Sequence, residues 1–144
     1  MTQTFREFFN YYQEVWKTCN FDEMNALISK RYQAREITKD GIVDFGYDES
    51  LKGWREAFSF VQSNHGQWDV HEIGVIPLGK DEMMGILSAT ILMNGKSLQT
   101  ANLFFETFRV QNDEWQMVRS YSETGIPAER LKDFSLNKLS TLTE

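Results

Sequence analysis

The stretch VQNDEWQMVRSYS, residues 110–122, carries the clearest fold signal in the chain. Val110 precedes Asn112-Asp113, and Trp115 and Met117 follow at two-residue spacing, as in strands with one apolar face. Asn and Asp both tolerate the positive φ angles that a tight hairpin turn requires. The stretch therefore predicts two long antiparallel strands joined by a two-residue turn.

Two further turn signals lie upstream of this hairpin. Gly79-Lys80-Asp81 and Asn94-Gly95 separate long runs rich in apolar residues that begin at Gln67. Asn94-Gly95 is a typical dipeptide of a two-residue hairpin turn. The second half of the chain is therefore predicted to be a four-stranded antiparallel meander.

The first half has helical periodicity. Thr4 and Glu7 match a capping box, Asn20 is a second N-cap, and a third helix begins at Ser50. The predicted strands Tyr32–Thr38 and Ile42–Tyr47 form a short hairpin before the third helix. The apolar helix faces comprise Phe5, Phe8, Phe9, Tyr12, Val15 and Trp16, then Phe21, Met24, Leu27 and Ile28, and finally Leu51, Trp54, Phe58 and Val61.

Composition limits the possible classes of protein. With 144 residues, 41% of them hydrophobic, the chain suits one globular domain, and 14% aromatic residues suggest a cavity or an apolar interface. A net charge of -6 without a basic run disfavours nucleic acid and an anionic membrane surface. No apolar run approaches the roughly 20 residues of a membrane span. The single cysteine, Cys19, and an N-terminus unlike a signal peptide predict a cytoplasmic location.

The order helix, helix, short hairpin, helix and four long strands resembles the nuclear transport factor 2-like superfamily, which includes SnoaL-like polyketide cyclases and ketosteroid isomerase. The resemblance covers Phe5 to Thr124, and residues 110–122 look like the closing hairpin of that family, with its Trp115 and Ser122. It implies a cone-shaped α+β fold, a cystatin-like α+β roll, in which N-terminal helices pack on a curved, mostly antiparallel sheet. One domain would span residues 1–126, followed by a tail or short helix at 127–144.

The resemblance also implies a pocket between helices and sheet and a homodimer paired through the sheets. Counted from a two-residue turn, Glu106 would lie opposite Arg119 and Phe104 opposite Tyr121 on the pocket face. The candidate catalytic residues are Arg119, Glu106, Tyr121 and His71, and the candidate ligand-binding residues are Trp54, Phe58, Asn102, Phe104 and Trp16. The residues predicted to alternate away from the pocket and form the dimer face are Ile86, Leu92, Leu103, Phe105 and Val118.

Each polar candidate has a structural alternative. Glu106 and Arg119 could form an ion pair with no role in binding, Tyr121 could place its hydroxyl in water, and His71 could be structural. No residue spacing predicts a metal site, and no motif predicts a cofactor.

Two hypotheses about function follow. The first is a domain that binds a small hydrophobic or mixed-polarity ligand, with cofactor-independent isomerase, cyclase or hydrolase chemistry left open. The known chemistries of the superfamily use acidic residues, often aspartates, and no aspartate falls on the predicted pocket face. The second hypothesis is a non-catalytic dimeric interaction module whose pocket is filled by its own aromatic side chains. A cavity of roughly 300 Å³ or more would favour the first.

Overall fold

The computed structural model describes residues 3–131 and 134–136. Within these ranges, three helices pack on one sheet of seven strands. The helices are α1 (Phe5–Lys17), α2 (Phe21–Ala26) and α3 (Tyr47–Ser63). The strands are β1 (Ile28–Thr38), β2 (Gly41–Gly46), β3 (Gln67–Pro77), β4 (Glu82–Met93), β5 (Lys96–Ser97), β6 (Thr100–Gln111) and β7 (Glu114–Pro127), and a short 3-10 helix, Ala128–Arg130, follows.

The predicted N-caps of the first two helices are confirmed. The Thr4 hydroxyl accepts from the Glu7 backbone N–H at 3.1 Å, while the Glu7 carboxylate accepts from the Thr4 backbone N–H at 3.2 Å. Asn20 caps α2 through the backbone N–H of Glu23 at 3.3 Å. These bonds satisfy amides that have no partner within the helix, so both helices begin where the sequence predicts.

Several predicted boundaries are wrong. The first strand begins at Ile28 rather than Tyr32, and the second ends at Gly46 rather than Tyr47. Ile28 was assigned to the second helix, but α2 ends at Ala26 and Ile28 begins β1, where it pairs with Met117 of β7. The third helix begins at Tyr47 rather than Ser50, because the Glu49 carboxylate accepts from the Gly46 backbone N–H at 3.2 Å and caps an earlier first turn. The pairing of Ile28 with β7 and the bond between Gly46 and Glu49 set these boundaries, and helical periodicity reveals neither contact.

The sheet has the order β2-β1-β7-β6-β4-β3. The predicted meander of β3, β4, β6 and β7 is confirmed as continuously antiparallel, whereas β1 pairs with β7 in parallel. Asn94, Asn112 and Asp113 have φ angles of 54°, 53° and 62°, as expected of tight hairpin turns. The α+β class predicted from the sequence is confirmed.

Helix α1 lies across one face of this sheet, which we call the inner face. Its residues Phe9, Tyr12 and Trp16 are fully buried against β4, β6 and β7. Gly85 of β4 permits this close approach, because a Cβ at that position would lie only 2.3 Å from the Phe9 ring. None of the helices in the described ranges is long and apolar enough to cross a membrane.

The opposite, outer face is partly covered by the end of the chain. Leu131 is buried, and Leu136 packs so closely on Gly74 that a Cβ there would meet it at 2.5 Å. The predicted tail at 127–144 therefore includes a segment that docks on the outer face, while residues 132–133 and 137–144 lie outside the described residues. Of the predicted dimer patch, Ile86 and Val118 are already buried within one chain, and Leu92, Leu103 and Phe105 stay partly exposed.

Candidate ligand-binding site

A cavity of about 460 Å³ lies between α3, the β1-β2 hairpin and the inner face of the sheet. Five aromatic residues line it, together with small or aliphatic residues and polar or acidic ones. We call it the tryptophan cavity, after its lining residues Trp16, Trp54, Trp68 and Phe104.

Trp16 is the centre of the aromatic wall. Its ring meets Trp54 edge-on at 4.9 Å and 86°, and it meets Phe104 at 5.1 Å and 81°. Trp68 approaches it at 5.9 Å and 73°. Because successive rings are nearly perpendicular, both ring faces and ring edges are presented around one cavity.

The Trp16 side chain also carries an unsatisfied donor. Trp16 is only 1% exposed, and its indole N–H has no acceptor among the described residues. The Trp68 indole N–H lies close to the Cys19 sulfur. Because sulfur is a weak acceptor, the hydrogen-bonding capacity of Trp68 is only partly satisfied. Leaving a buried donor without a partner costs on the order of 1–3 kcal/mol. Because the Trp16 N–H is enclosed by its neighbours, this cost falls on the stability of the fold.

One end of the tryptophan cavity is polar. Ser50 of α3 and Ser120 of β7 line it, and their hydroxyls lie beside the buried hydroxyl of Tyr32. Burial raises the pKa of Tyr32, and hydrogen bonding with the two serines opposes that rise. Tyr32 is therefore a neutral group buried behind the serines at this end of the cavity.

Glu106 lies beneath the cavity rather than in its lining. It is 1% exposed, and its carboxylate accepts a hydrogen bond from the Tyr12 hydroxyl at 2.7 Å. Desolvation raises the pKa of Glu106 to about 7, although the bond from Tyr12 acts in the opposite direction. The carboxyl group is thus partly protonated near neutral pH and is enclosed by α1 and β6.

The predicted Glu106–Arg119 pair is wrong, because β7 contains a β-bulge. Phe108 pairs with Met117 as expected, but the next pairs are Thr107 with Arg119 and Glu106 with Ser120. One extra residue, Val118, thus shifts the register, and a one-residue shift sends each following side chain to the other face. Arg119 consequently lies on the outer face.

Arg119, Tyr121 and His71 all lie outside the tryptophan cavity. The Arg119 side chain is 49% exposed and donates to the Glu82 carboxylate at 2.7 Å. Tyr121 is 40% exposed and donates to Glu123 at 2.8 Å instead of packing on Phe104. His71 contacts the backbone oxygen of Phe134 at 3.0 Å. None of these three side chains can therefore contact a ligand in the cavity.

Most of the predicted ligand-binding residues line the cavity. Trp16, Trp54, Phe104 and Asn102 line the tryptophan cavity, whereas Phe58 is buried behind Trp54 at a ring distance of 5.4 Å. Sequence reasoning missed several lining residues, which lie on the β1-β2 hairpin, on α3, at the start of β3, or beyond the bulge of β7. The missed residues include Trp68, Glu36, Glu49, Ser50 and Ser120.

The charged groups of the lining are all acidic. Glu36, Asp44 and Glu49 line the tryptophan cavity, and no lysine, arginine or histidine of the described residues does so. Hydrogen bonds from Arg35 lower the pKa of Asp44, and Glu49 caps α3. In residues 3–131 and 134–136, no group of three or more His, Cys, Asp or Glu side chains is arranged to hold a metal ion.

Comparison with solved structures identifies the class of fold. The chain matches an NTF2-like protein of unknown function from Pseudomonas putida with a TM-score of 0.65 at 11% identity, covering 89% of each chain. A domain of unknown function with a cystatin-like fold from Nostoc punctiforme matches with a TM-score of 0.64 at 13% identity, covering 96% of this chain and 90% of that chain. An NTF2-like protein with a cystatin-like fold from Novosphingobium aromaticivorans matches at 0.63 and 12% identity, covering 94% and 84%.

The chain therefore has the NTF2-like, cystatin-like α+β fold, as the sequence resemblance implied. No protein-family model and no curated protein matches it. Because one fold hosts many functions, the function is argued below from the site itself.

Proposed function

We propose that this protein binds a small organic molecule in the tryptophan cavity. The observation that carries the proposal is a hollow of about 460 Å³ whose walls are aromatic and whose end is polar. Ligand sites are typically concave, mostly apolar and supplied with a few polar groups that fix orientation. The volume exceeds the roughly 300 Å³ that a drug-sized ligand needs, which favours a ligand-binding domain over a module filled by its own aromatic residues.

Binding is better supported than catalysis. General acid–base chemistry needs a titratable group within hydrogen-bonding reach of the substrate. Glu106 has a pKa suited to that role, but its carboxyl group is bonded to Tyr12 and does not line the cavity. The carboxylates that do line it belong to Glu36, Asp44 and Glu49, at the side formed by α3 and the β1-β2 hairpin.

A homodimer paired through the outer face is part of the proposal. Phe105 and Leu103 are partly exposed there, and Tyr121 lies beside Phe105 at a ring distance of 6.0 Å. Apolar side chains grouped on an open sheet face favour association with a second copy. A cytoplasmic location, expected from the single Cys19, is proposed with it.

Blocking the cavity tests the binding proposal. Gly53 of α3 lines it, and a Cβ at Gly53 would meet no atom within 4 Å. Gly53→Leu should therefore fold and project its side chain into the hollow. The binding of aromatic probes of neutral, cationic and anionic charge would be measured by calorimetry and by tryptophan fluorescence.

We expect Gly53→Leu to lose at least about tenfold in affinity for any probe that binds the wild type. Gly53→Ala controls for the loss of glycine, and Lys52→Leu places the same side chain on the exposed side of the helix. Equal affinity of Gly53→Leu and the wild type would show that the probe binds elsewhere and would refute the proposed site.

A further inference from the structure

The charge of the cavity lining indicates the class of ligand. From the lining we infer that the molecule bound in the tryptophan cavity is an organic cation, a quaternary or protonated amine. The inference rests on the proposed function and adds the class of ligand. It is argued from two features of the lining, an unpaired carboxylate and an aromatic enclosure.

Glu36 is the uncompensated carboxylate. It lies on the inner face of β1, half-buried, and pairs across the hairpin with Val43, which also lines the cavity. Within the part of the chain that the structure describes, its carboxylate has no hydrogen bond or ion pair. Asp44 differs because Arg35 holds its carboxylate through bonds of 2.7 and 2.9 Å.

A half-buried carboxylate without a cation is electrostatically unfavourable, and a bound cation relieves that cost. Glu49 places a second carboxylate on the same side of the cavity, and it accepts a hydrogen bond from the Gly46 N–H. An anionic ligand would meet both carboxylates without any basic side chain of the described lining to offset them. The lining therefore selects against anions as well as for cations.

The aromatic enclosure suits the same class of ligand. A cation is attracted to the faces of aromatic rings, most strongly to tryptophan, and cages of several rings are used to bind quaternary ammonium groups. Trp54 and Phe104 each lie about 5 Å from the Trp16 ring and nearly at right angles to it. Both rings line the cavity together with Trp68, so a bulky cation would contact more than one ring. Methyl groups on the nitrogen would also gain from burial against these walls.

A pair of isosteric probes tests the inference. Meta-hydroxyphenyltrimethylammonium and meta-tert-butylphenol have nearly the same shape and share a phenolic oxygen, but only the first is charged. Their affinities would be measured by calorimetry at a mildly acidic pH, where both phenols are neutral and exposed carboxylates are ionised. We expect the cation to bind about tenfold more tightly than its neutral isostere.

Substitutions then assign the preference to the cavity. Glu36→Gln should reduce the affinity for the cation severalfold, of the order of fivefold, and leave that for the neutral isostere unchanged. Glu56→Gln removes the same charge from an exposed position on α3 outside the cavity and should change neither affinity.

The outcomes separate the two proposals. Equal affinities of the two probes for the wild type, or a preference for the neutral one, would overturn the inference while leaving a binding site in place. Equal effects of Glu36→Gln and Glu56→Gln would overturn it as well. No binding of either probe would overturn the proposed function and the inference together.

Discussion

The Tyr12 hydroxyl of α1 donates a hydrogen bond of 2.7 Å to the Glu106 carboxylate of β6 in the centre of the core. The bond joins the first helix to the middle of the sheet across 94 positions of sequence. Glu106 is enclosed so completely that desolvation outweighs this bond and raises the pKa to about 7. The pair is therefore a buried polar contact whose strength depends on pH.

The stability of the fold should fall as Glu106 ionises. The folded chain holds the Glu106 proton up to a pKa of about 7, whereas the ordinary value is 4.5, so the folded state binds more protons between these values. Unfolding free energy should decrease with rising pH across this window, by on the order of 3 kcal/mol, and stay low above it. Glu106→Gln should lose this dependence in urea denaturation, whereas Glu56→Gln should keep it. A wild type that gains stability from pH 4.5 to 7 would contradict the raised pKa.

Trp54 should be less important for stability than its neighbour Phe58. Phe58 is 2% exposed, and truncating it to alanine should cost about 3–5 kcal/mol. Trp54 lines the cavity and is only partly buried, so Trp54→Ala should cost less, about 1–3 kcal/mol. Chemical denaturation of the two variants compares them directly. A larger loss for Trp54→Ala would indicate that Trp54 is tightly packed and that the cavity is closed.

Two glycine substitutions should have opposite effects. Gly85→Ala would place a Cβ at 2.3 Å from the buried Phe9 ring, and overpacking of this kind costs about 1–3 kcal/mol. Gly53→Ala meets no neighbouring atom within a helix and should stabilise the fold by about 0.5–1 kcal/mol. Thermal and urea unfolding would measure both. Tolerance of Gly85→Ala would show that α1 does not approach the sheet so closely.

Arg119→Ala should leave both the fold and the site intact. Its partner Glu82 keeps a second arginine, Arg109, which donates to it at 2.9 Å. The Arg119 side chain is half exposed, and Glu82 remains paired with Arg109, so the variant should unfold within about 1 kcal/mol of the wild type. Probe binding in the tryptophan cavity should be unchanged in calorimetry. A loss of binding would place Arg119 in the site after all.

Association through the outer face should be visible in solution. Light scattering should report a mass of about twice 16.9 kDa for the wild type. Phe105→Glu would place a charge on the proposed interface and should shift the protein to the monomer. Phe60→Glu, at an exposed position of α3, is the control and should remain a dimer. A wild type that is monomeric at micromolar concentration would rule out the proposed interface.

The local signals of the sequence predicted most of the helices and hairpins. Capping residues define where α1 and α2 begin, and Asn94-Gly95 and Asn112-Asp113 fix their hairpins, because these effects act within a few residues. The aromatic faces of α1 and α3 likewise predicted Trp16 and Trp54 at the cavity, since helical periodicity alone directs them toward the sheet.

The polar chemistry of the site was decided by tertiary structure. One extra residue in β7, Val118, turns Arg119 away from Glu106, and no local pattern marks that bulge. Glu36 and Ser50 meet the aromatic wall only because β1 pairs in parallel with β7 and α3 crosses the hairpin. Sequence by itself thus determined which segments form helices and strands, through local backbone preferences and the periodicity of apolar residues. Strand register and long-range packing, which depend on contacts between distant residues, decided which side chains share the cavity.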